Sequence, residues 1–261
     1  MCVSTNIEDI LNDDDNESTP KGKNDFPVTR WGMIADSADP ESIVRMKAQK
    51  ELYQTYWPPL YGYARMKGKS EEDAEDLLQG FFSKQLSNES FNRADETKGK
   101  FRTFLLTAFN HFMRDEWQKQ QSQKRGGGVE VISIDRDEGE RIYELTDHKN
   151  LTPEEAYQQN WARTVLENSI ERLRKSYQKK GNMDQFKALA PFLGLSEEPD
   201  YQDAATKLKL PIESARVYVH RFRKKFRNTI RAEIADTLPP GADITEEMRN
   251  LMTAFSPKLA H

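Results

Sequence analysis

At roughly 150 residues per domain, a chain of 261 residues predicts two domains, and 36% hydrophobic against 31% charged residues predicts small helical cores under a well-solvated surface. The single cysteine, Cys2, excludes a disulfide framework, a thiolate zinc site and a CxxC redox pair. No apolar run of about 18 residues is present and the first residues are acidic, so neither a membrane span nor a secretory leader is expected, and the cytoplasm is the expected compartment.

The net charge of -4 hides a segregation. Residues 1–25 hold seven acids against Lys21 and Lys23; they are polar and aperiodic, and are expected to be a disordered acidic tail. Ile43, Met46, Leu52, Tyr56, Leu60 and Tyr63 then recur at helical spacing, interrupted by Pro58-Pro59, which predicts two helices with a bend. Ser70 followed by Asp73 has the form of a capping box and starts a helix through Leu77, Leu78, Phe81, Phe82 and Leu86. After a polar turn, Phe101, Phe104, Leu105, Ala108, Phe109, Phe112 and Trp117 mark a long amphipathic helix.

Gln118 to Arg125 and the Gly126-Gly127-Gly128 run end both periodicity and stiffness, so residues 26–125 read as a first domain and 126–152 as a flexible linker. Within that linker, 129–134 alternates as an extended segment would, but has no strand partner. Thr152 as N-cap with Pro153 at the first helical position opens a second helical block, 153–238. It runs through Trp161, Val165, Leu166, Ile170 and Leu173, turns at Gly181-Asn182, and continues as helices near 186–195, 201–208 and 212–234. Pro239-Pro240-Gly241 is expected to end the regular part, leaving 239–261 as a C-terminal extension.

The sharpest pattern lies at 201–222. Ala205 is small where two helices would cross, Leu208 and Leu210 bracket a short turn, and Ala215, Val219 and Phe222 give the second helix one buried face. This is the pattern of a helix-turn-helix, whose outward face would carry Arg216, Val217, Tyr218, His220 and Arg221 into a major groove while Arg223, Lys224, Lys225 and Arg227 meet phosphates. The bland alternative is a helical hairpin with a solvated basic face.

Aromatic and basic residues also interleave over 98–125, as they do where unpaired bases stack, although helical spacing assigns most of these rings to a core and leaves one or two for a base. Asp73, Glu75, Asp76, Gln79 and Phe82 form a mixed acidic and apolar helix face that a partner helix could meet. Catalytic constellations are missing. Gly62 to Ser70 approaches a phosphate loop but has five residues between its glycines and follows a helix, and the four histidines lack metal spacing, so neither an enzyme nor a bound metal or cofactor is expected.

Taken in order, the 73–82 stretch, the 101–117 stretch and the pattern at 201–222 resemble the two conserved domains of bacterial extracytoplasmic-function (ECF) RNA polymerase sigma factors. The resemblance implies an all-α protein whose sigma region 2-like helical bundle and region 4-like helix-turn-helix are joined by a linker, acting without chemistry of its own. It implies that Asp73, Asp76, Gln79 and Phe82 dock on core RNA polymerase. Lys100, Arg102, Phe104, His111 and Arg114 would capture and melt the minus-ten element of promoter DNA, and Arg216, Val217, Tyr218, His220, Arg221 and Lys224 would face the minus-thirty-five element. Lys209 stands where such a turn usually has glycine, Pro211 where the recognition helix usually begins with Ser or Thr, and His111 where the melting helix usually has Asn. An anti-sigma factor or other regulator is a further candidate partner. A stand-alone helix-turn-helix regulator is the alternative; it would not need the 73–82 face.

Overall fold

The computed structural model describes residues 42–87, 100–122, 136–146, 149–193, 199–235, 238 and 242–255. The acidic tail, the triple-glycine run and the alternating stretch 129–134 lie outside the described residues. Those described form α1 (Ser42–Met66), α2 (Glu71–Ser87), α3 (Phe101–Ser122), α4 (Arg136–Glu144), α5 (Pro153–Lys179), α6 (Met183–Leu189) with a 3-10 turn at Ala190–Leu193, α7 (Tyr201–Leu208), α8 (Ile212–Ala235) and α9 (Ile244–Phe255), and include no strand. No described helix is long and apolar enough to cross a membrane. By its contacts the chain divides into two units, and the division runs through α5, between Thr164 and Val165.

In the first unit α1 is the central helix. Tyr56, Trp57, Leu60, Tyr61, Tyr63 and Ala64 are all buried, so the helix is covered around nearly its whole circumference. That burial explains why Pro58 and Pro59 do not divide it, contrary to the expectation of two helices: both prolines lie inside one 25-residue helix. A proline within a helix costs about 3 kcal/mol. Burying each large side chain returns about 1.5–3 kcal/mol, and four aromatic rings surround the prolines.

Around α1, α2 contributes Ala74, Leu78 and Phe81 with the adjacent Phe82, and α3 contributes Phe101, Leu105, Phe109 and Phe112, at spacings of three or four except within the Phe81-Phe82 pair. The start of α2 is capped as expected, the Asp73 N–H donating to Ser70 Oγ at 3.1 Å. The segment expected as linker contains α4, which packs along α1. Gly139 permits that approach, because a Cβ there would lie 3.0 Å from the Tyr61 ring. Tyr61 donates to Glu140 at 2.6 Å, and Arg65 lies 3.3 Å from the same carboxylate with its guanidinium over the Tyr143 ring.

The first turns of α5 belong to this unit too. Thr152 and Glu155 form a reciprocal capping box, with the Glu155 N–H donating to Thr152 Oγ1 at 3.2 Å and the Thr152 N–H to Glu155 Oε2 at 2.7 Å. Ala156, Tyr157, Asn160 and Trp161 are buried, and Glu154 receives both the Lys67 ammonium at 3.1 Å and the Tyr63 hydroxyl at 2.9 Å.

The second unit packs the rest of α5 with α6 to α9. Tyr177, Phe186 and Phe222 form a three-ring cluster with centroids 5.6–5.9 Å apart. Ala204 and Ala205 of α7 and Ala215, Val219 and Phe222 of α8 are buried, which is the packing expected of this helix pair. Between the two helices lie only Lys209, Leu210 and Pro211. Lys209 adopts φ 55 and ψ 44, while the Leu210 N–H reaches back to Ala205 O at 3.0 Å and the Lys209 N–H to Thr206 O at 3.1 Å. This is a Schellman closure, in which the left-handed residue is usually glycine. Regular structure resumes after Pro239-Pro240-Gly241, where it was expected to end: Asp243 caps α9 by accepting from the Thr245 N–H at 2.8 Å, and Met248 and Leu251 bury the helix against α8.

The left-handed residue yields a prediction. Replacing Lys209 by glycine removes a backbone penalty of roughly 1–2 kcal/mol and adds a smaller unfolded-state entropy cost, so Lys209→Gly should stabilise by about 0.5–1 kcal/mol. Lys209→Val should destabilise by about 1 kcal/mol or more, since a branched Cβ fits that conformation worst. Chemical denaturation of the two variants measures both; equal stabilities would contradict the assigned turn.

Candidate nucleic-acid interface

Packing against α1 divides α2 into two faces. Ala74, Leu78, Phe81 and Phe82 turn inward, leaving Asp73 and Asp76 exposed, with Gln79 half-buried and donating to Glu75 Oε1 at 3.2 Å. Phe82, expected to touch the polymerase, is only 2% exposed: its ring meets Tyr53 edge-on at 4.6 Å and stacks on Trp57 at 6.0 Å. It is core, and the outward surface it was assigned to consists of Asp73, Asp76 and part of Gln79.

The same division applies to α3. Thr103, Thr107, His111 and Arg114 recur every three or four residues and are exposed, forming one polar line opposite the buried rings. Phe104 is half-buried, stacked on Phe101 at 6.1 Å, and Lys100 is half-buried where its carbonyl accepts the first N–H groups of the helix. Arg102 does not join that line. It is 5% exposed, its guanidinium lies 4.0 Å over the Trp161 ring, and its Nε donates to Gln158 Oε1 at 2.9 Å. Tyr157 donates to the Arg102 carbonyl at 3.0 Å. Burial pushes the guanidinium below its ordinary value, opposed by the Tyr157 and Tyr56 hydroxyls. These contacts fasten the start of α3 to α5 and take the side chain off the outward line.

Trp117 is the ring on α3 that faces outward, at 53% exposure. The sequence left one or two rings available without indicating which. The signal for it is position: Trp117 ends the apolar series and lies among Asp115, Glu116, Gln118 and Lys119.

On α8 the expected base-facing residues stand outward: Arg216, Val217, His220 and Arg221 are exposed, Tyr218 and Lys224 half-buried. Arg216 pairs with Glu213 at 3.4 Å and leans toward the Tyr201 ring at 5.8 Å. The expected phosphate set is largely occupied elsewhere. Arg223 Nε donates to the Phe192 carbonyl at 3.0 Å, Lys225 donates to Ser176 Oγ at 3.0 Å with its ammonium 4.2 Å from the Tyr177 ring, and Arg227 is 6% exposed. Burial, aided by Lys180, pushes the Lys225 ammonium below its ordinary value. Of the four, Lys224 alone keeps to the outward stripe, which Arg231 continues.

The phosphate-loop look-alike is no loop. Gly62 lies within α1, where a Cβ would meet the Asn160 amide nitrogen at 2.6 Å, and Gly68 with φ 82 closes the helix end.

A small helical domain thus offers an acidic outer face on α2 and, on α3, a polar line with an exposed tryptophan beyond it. That domain falls in a known class of transcription initiation modules: residues 52–123 match the family model Sigma-70 region 2. The match covers this segment, about a quarter of the chain, and shows what the first unit is similar to: a sigma-70 region 2. No curated protein and no solved structure matches the chain.

Two reassigned residues generate a prediction. Phe82→Ala should cost about 3–5 kcal/mol of stability in the first unit, as truncation of a buried ring does. Arg102→Ala should cost about 2–3 kcal/mol from the lost stacking and hydrogen bonding, and Arg102→Lys should restore little of it, because an ammonium cannot stack its plane on Trp161. Thermal unfolding reads both, and unchanged melting with reduced DNA binding would return Arg102 to the interface.

Proposed function

We propose that this chain is an ECF-type sigma factor, which joins core RNA polymerase, opens the minus-ten element with its first unit and recognises the minus-thirty-five element with its second. The observation that carries the reading is the coincidence of two outward faces on the one segment that matches Sigma-70 region 2: the Asp73/Asp76 side of α2 and the His111/Arg114 line of α3. An acidic face clear of the core suits a basic helical partner. The polar line can donate to and accept from base edges and phosphates, and Trp117 supplies a π-face for an unstacked base. Such a protein carries out no bond chemistry; it converts binding energy into promoter selection and strand separation.

The second unit supports the same reading through the short turn at Lys209 and the exposed Arg216, Val217, His220 and Arg221 near the beginning of α8, the part of a recognition helix that meets base edges. An anti-sigma factor and the cytoplasmic site remain proposals of the family reading.

The test is association with core polymerase followed by promoter opening. Asp76→Arg combined with Gln79→Ala should abolish co-purification with core while leaving helicity unchanged. Trp117→Ala should keep core binding and lower promoter opening by about 5- to 150-fold, the equivalent of 1–3 kcal/mol of base stacking. Wild-type protein that binds duplex DNA but never retains core polymerase would instead establish a stand-alone regulator.

A further inference from the structure

We infer that Val217 reads a thymine, seating the 5-methyl group of that base in the major groove. The inference rests on the proposed reading of α8 as the helix that enters duplex DNA and names what that helix recognises. The large apolar side chains Val219, Phe222, Phe226, Ile230 and Ile234 of α8 are buried, whereas Val217 is 48% exposed and is the exposed large hydrophobic residue among the described residues of the second unit. Its position is central. At 3.6 residues per turn, Glu213, Ser214, His220, Arg221 and Lys224 fall within about 60° of it, and Arg216 and Tyr218 lie about 100° to either side. The valine therefore sits in the middle of a polar stripe that carries Arg221 and Lys224, and not on the rim of the core.

A polar surround holding Arg216, Arg221 and Lys224 suits the edges and phosphates of a polyanion better than an apolar protein partner, and the first turns of such a helix are those that approach base edges. Of the four bases only thymine presents an apolar group in the major groove. Valine also holds essentially one χ1 rotamer in a helix, so little side-chain freedom is lost when a methyl packs against it. Arg216 and Arg221 can bind guanine or phosphate on either side of that contact, but neither can recognise a methyl.

The experiment uses holoenzyme assembled from the full chain and core polymerase, with an upstream element selected from a randomised duplex pool. Each thymine of that element is replaced in turn by deoxyuridine, which keeps pairing and loses only the methyl. At one position the replacement should weaken wild-type binding about three- to fivefold, the value of one buried methyl-sized group. For Val217→Ala the same replacement should change binding less than 1.5-fold, and Val217→Ser should behave alike; the position is exposed, and circular dichroism checks the folding of both variants. A wild type that selects an element yet is indifferent to deoxyuridine at every thymine overturns the inference and leaves the DNA reading of α8 intact. A methyl effect that persists in Val217→Ala assigns it to another side chain and likewise overturns it. Failure of the wild type to select any upstream element removes the reading of α8 itself, and Val217→Ala that lowers core binding alone assigns the valine to a protein contact.

Discussion

The aromatic burial of α1 governs the first unit. Because Tyr56 and Tyr63 lie on one side of the helix, Trp57 and Tyr61 on another, and all are buried, each neighbour must turn its apolar line toward α1, and its outward chemistry is fixed as the remainder. For α2 that remainder is Asp73 and Asp76; for α3 it is the Thr103-to-Arg114 line and Trp117. The surfaces argued to meet polymerase and DNA are thus consequences of the core. The same packing allows two adjacent prolines in mid-helix, since the rings on both sides hold the backbone that propensity alone would break.

Cations sort by what lies beneath them. Arg102 stacks on Trp161 and Lys225 on Tyr177, and Arg223 gives its Nε to a carbonyl of the 3-10 turn. In each case the long stem covers apolar surface while the head finds a π-face or a carbonyl, which is how amphipathic side chains are commonly buried. Charge density along the sequence therefore overstates the nucleic-acid footprint: of the seven cations over 212–231, Arg216, Arg221, Lys224 and Arg231 remain on or beside the outward face.

Periodicity made much of the fold legible. The spacing of Phe101, Leu105, Phe109 and Phe112, the caps at Ser70 and Thr152, and the buried Ala215, Val219 and Phe222 follow from local rules that the sequence states directly. What escaped depends on partners distant in sequence. Arg102 is buried by residues more than fifty positions away, Phe82 is covered by Tyr53 and Trp57, and α4 gains its place through Gly139 against Tyr61. The helix α9 was missed for a different reason, because the Pro-Pro-Gly signal that ends one helix says nothing about whether another begins.

On the proposed reading of α8 as the helix that enters DNA, the four cations on or beside its outward face set the electrostatic share of binding. Each phosphate neutralised contributes a slope of about -0.9 in the salt dependence, so four cations supply at most about -3.6 where seven would supply about -6.3. On the function proposed here, such a unit is weak alone and gains affinity from being carried on a polymerase already engaged with the same promoter, because the second contact is then made at high effective concentration. Weak intrinsic hold is also the condition under which base contacts decide. When phosphate attraction contributes less, a single methyl recognised by Val217 is a larger share of the difference between one upstream element and another.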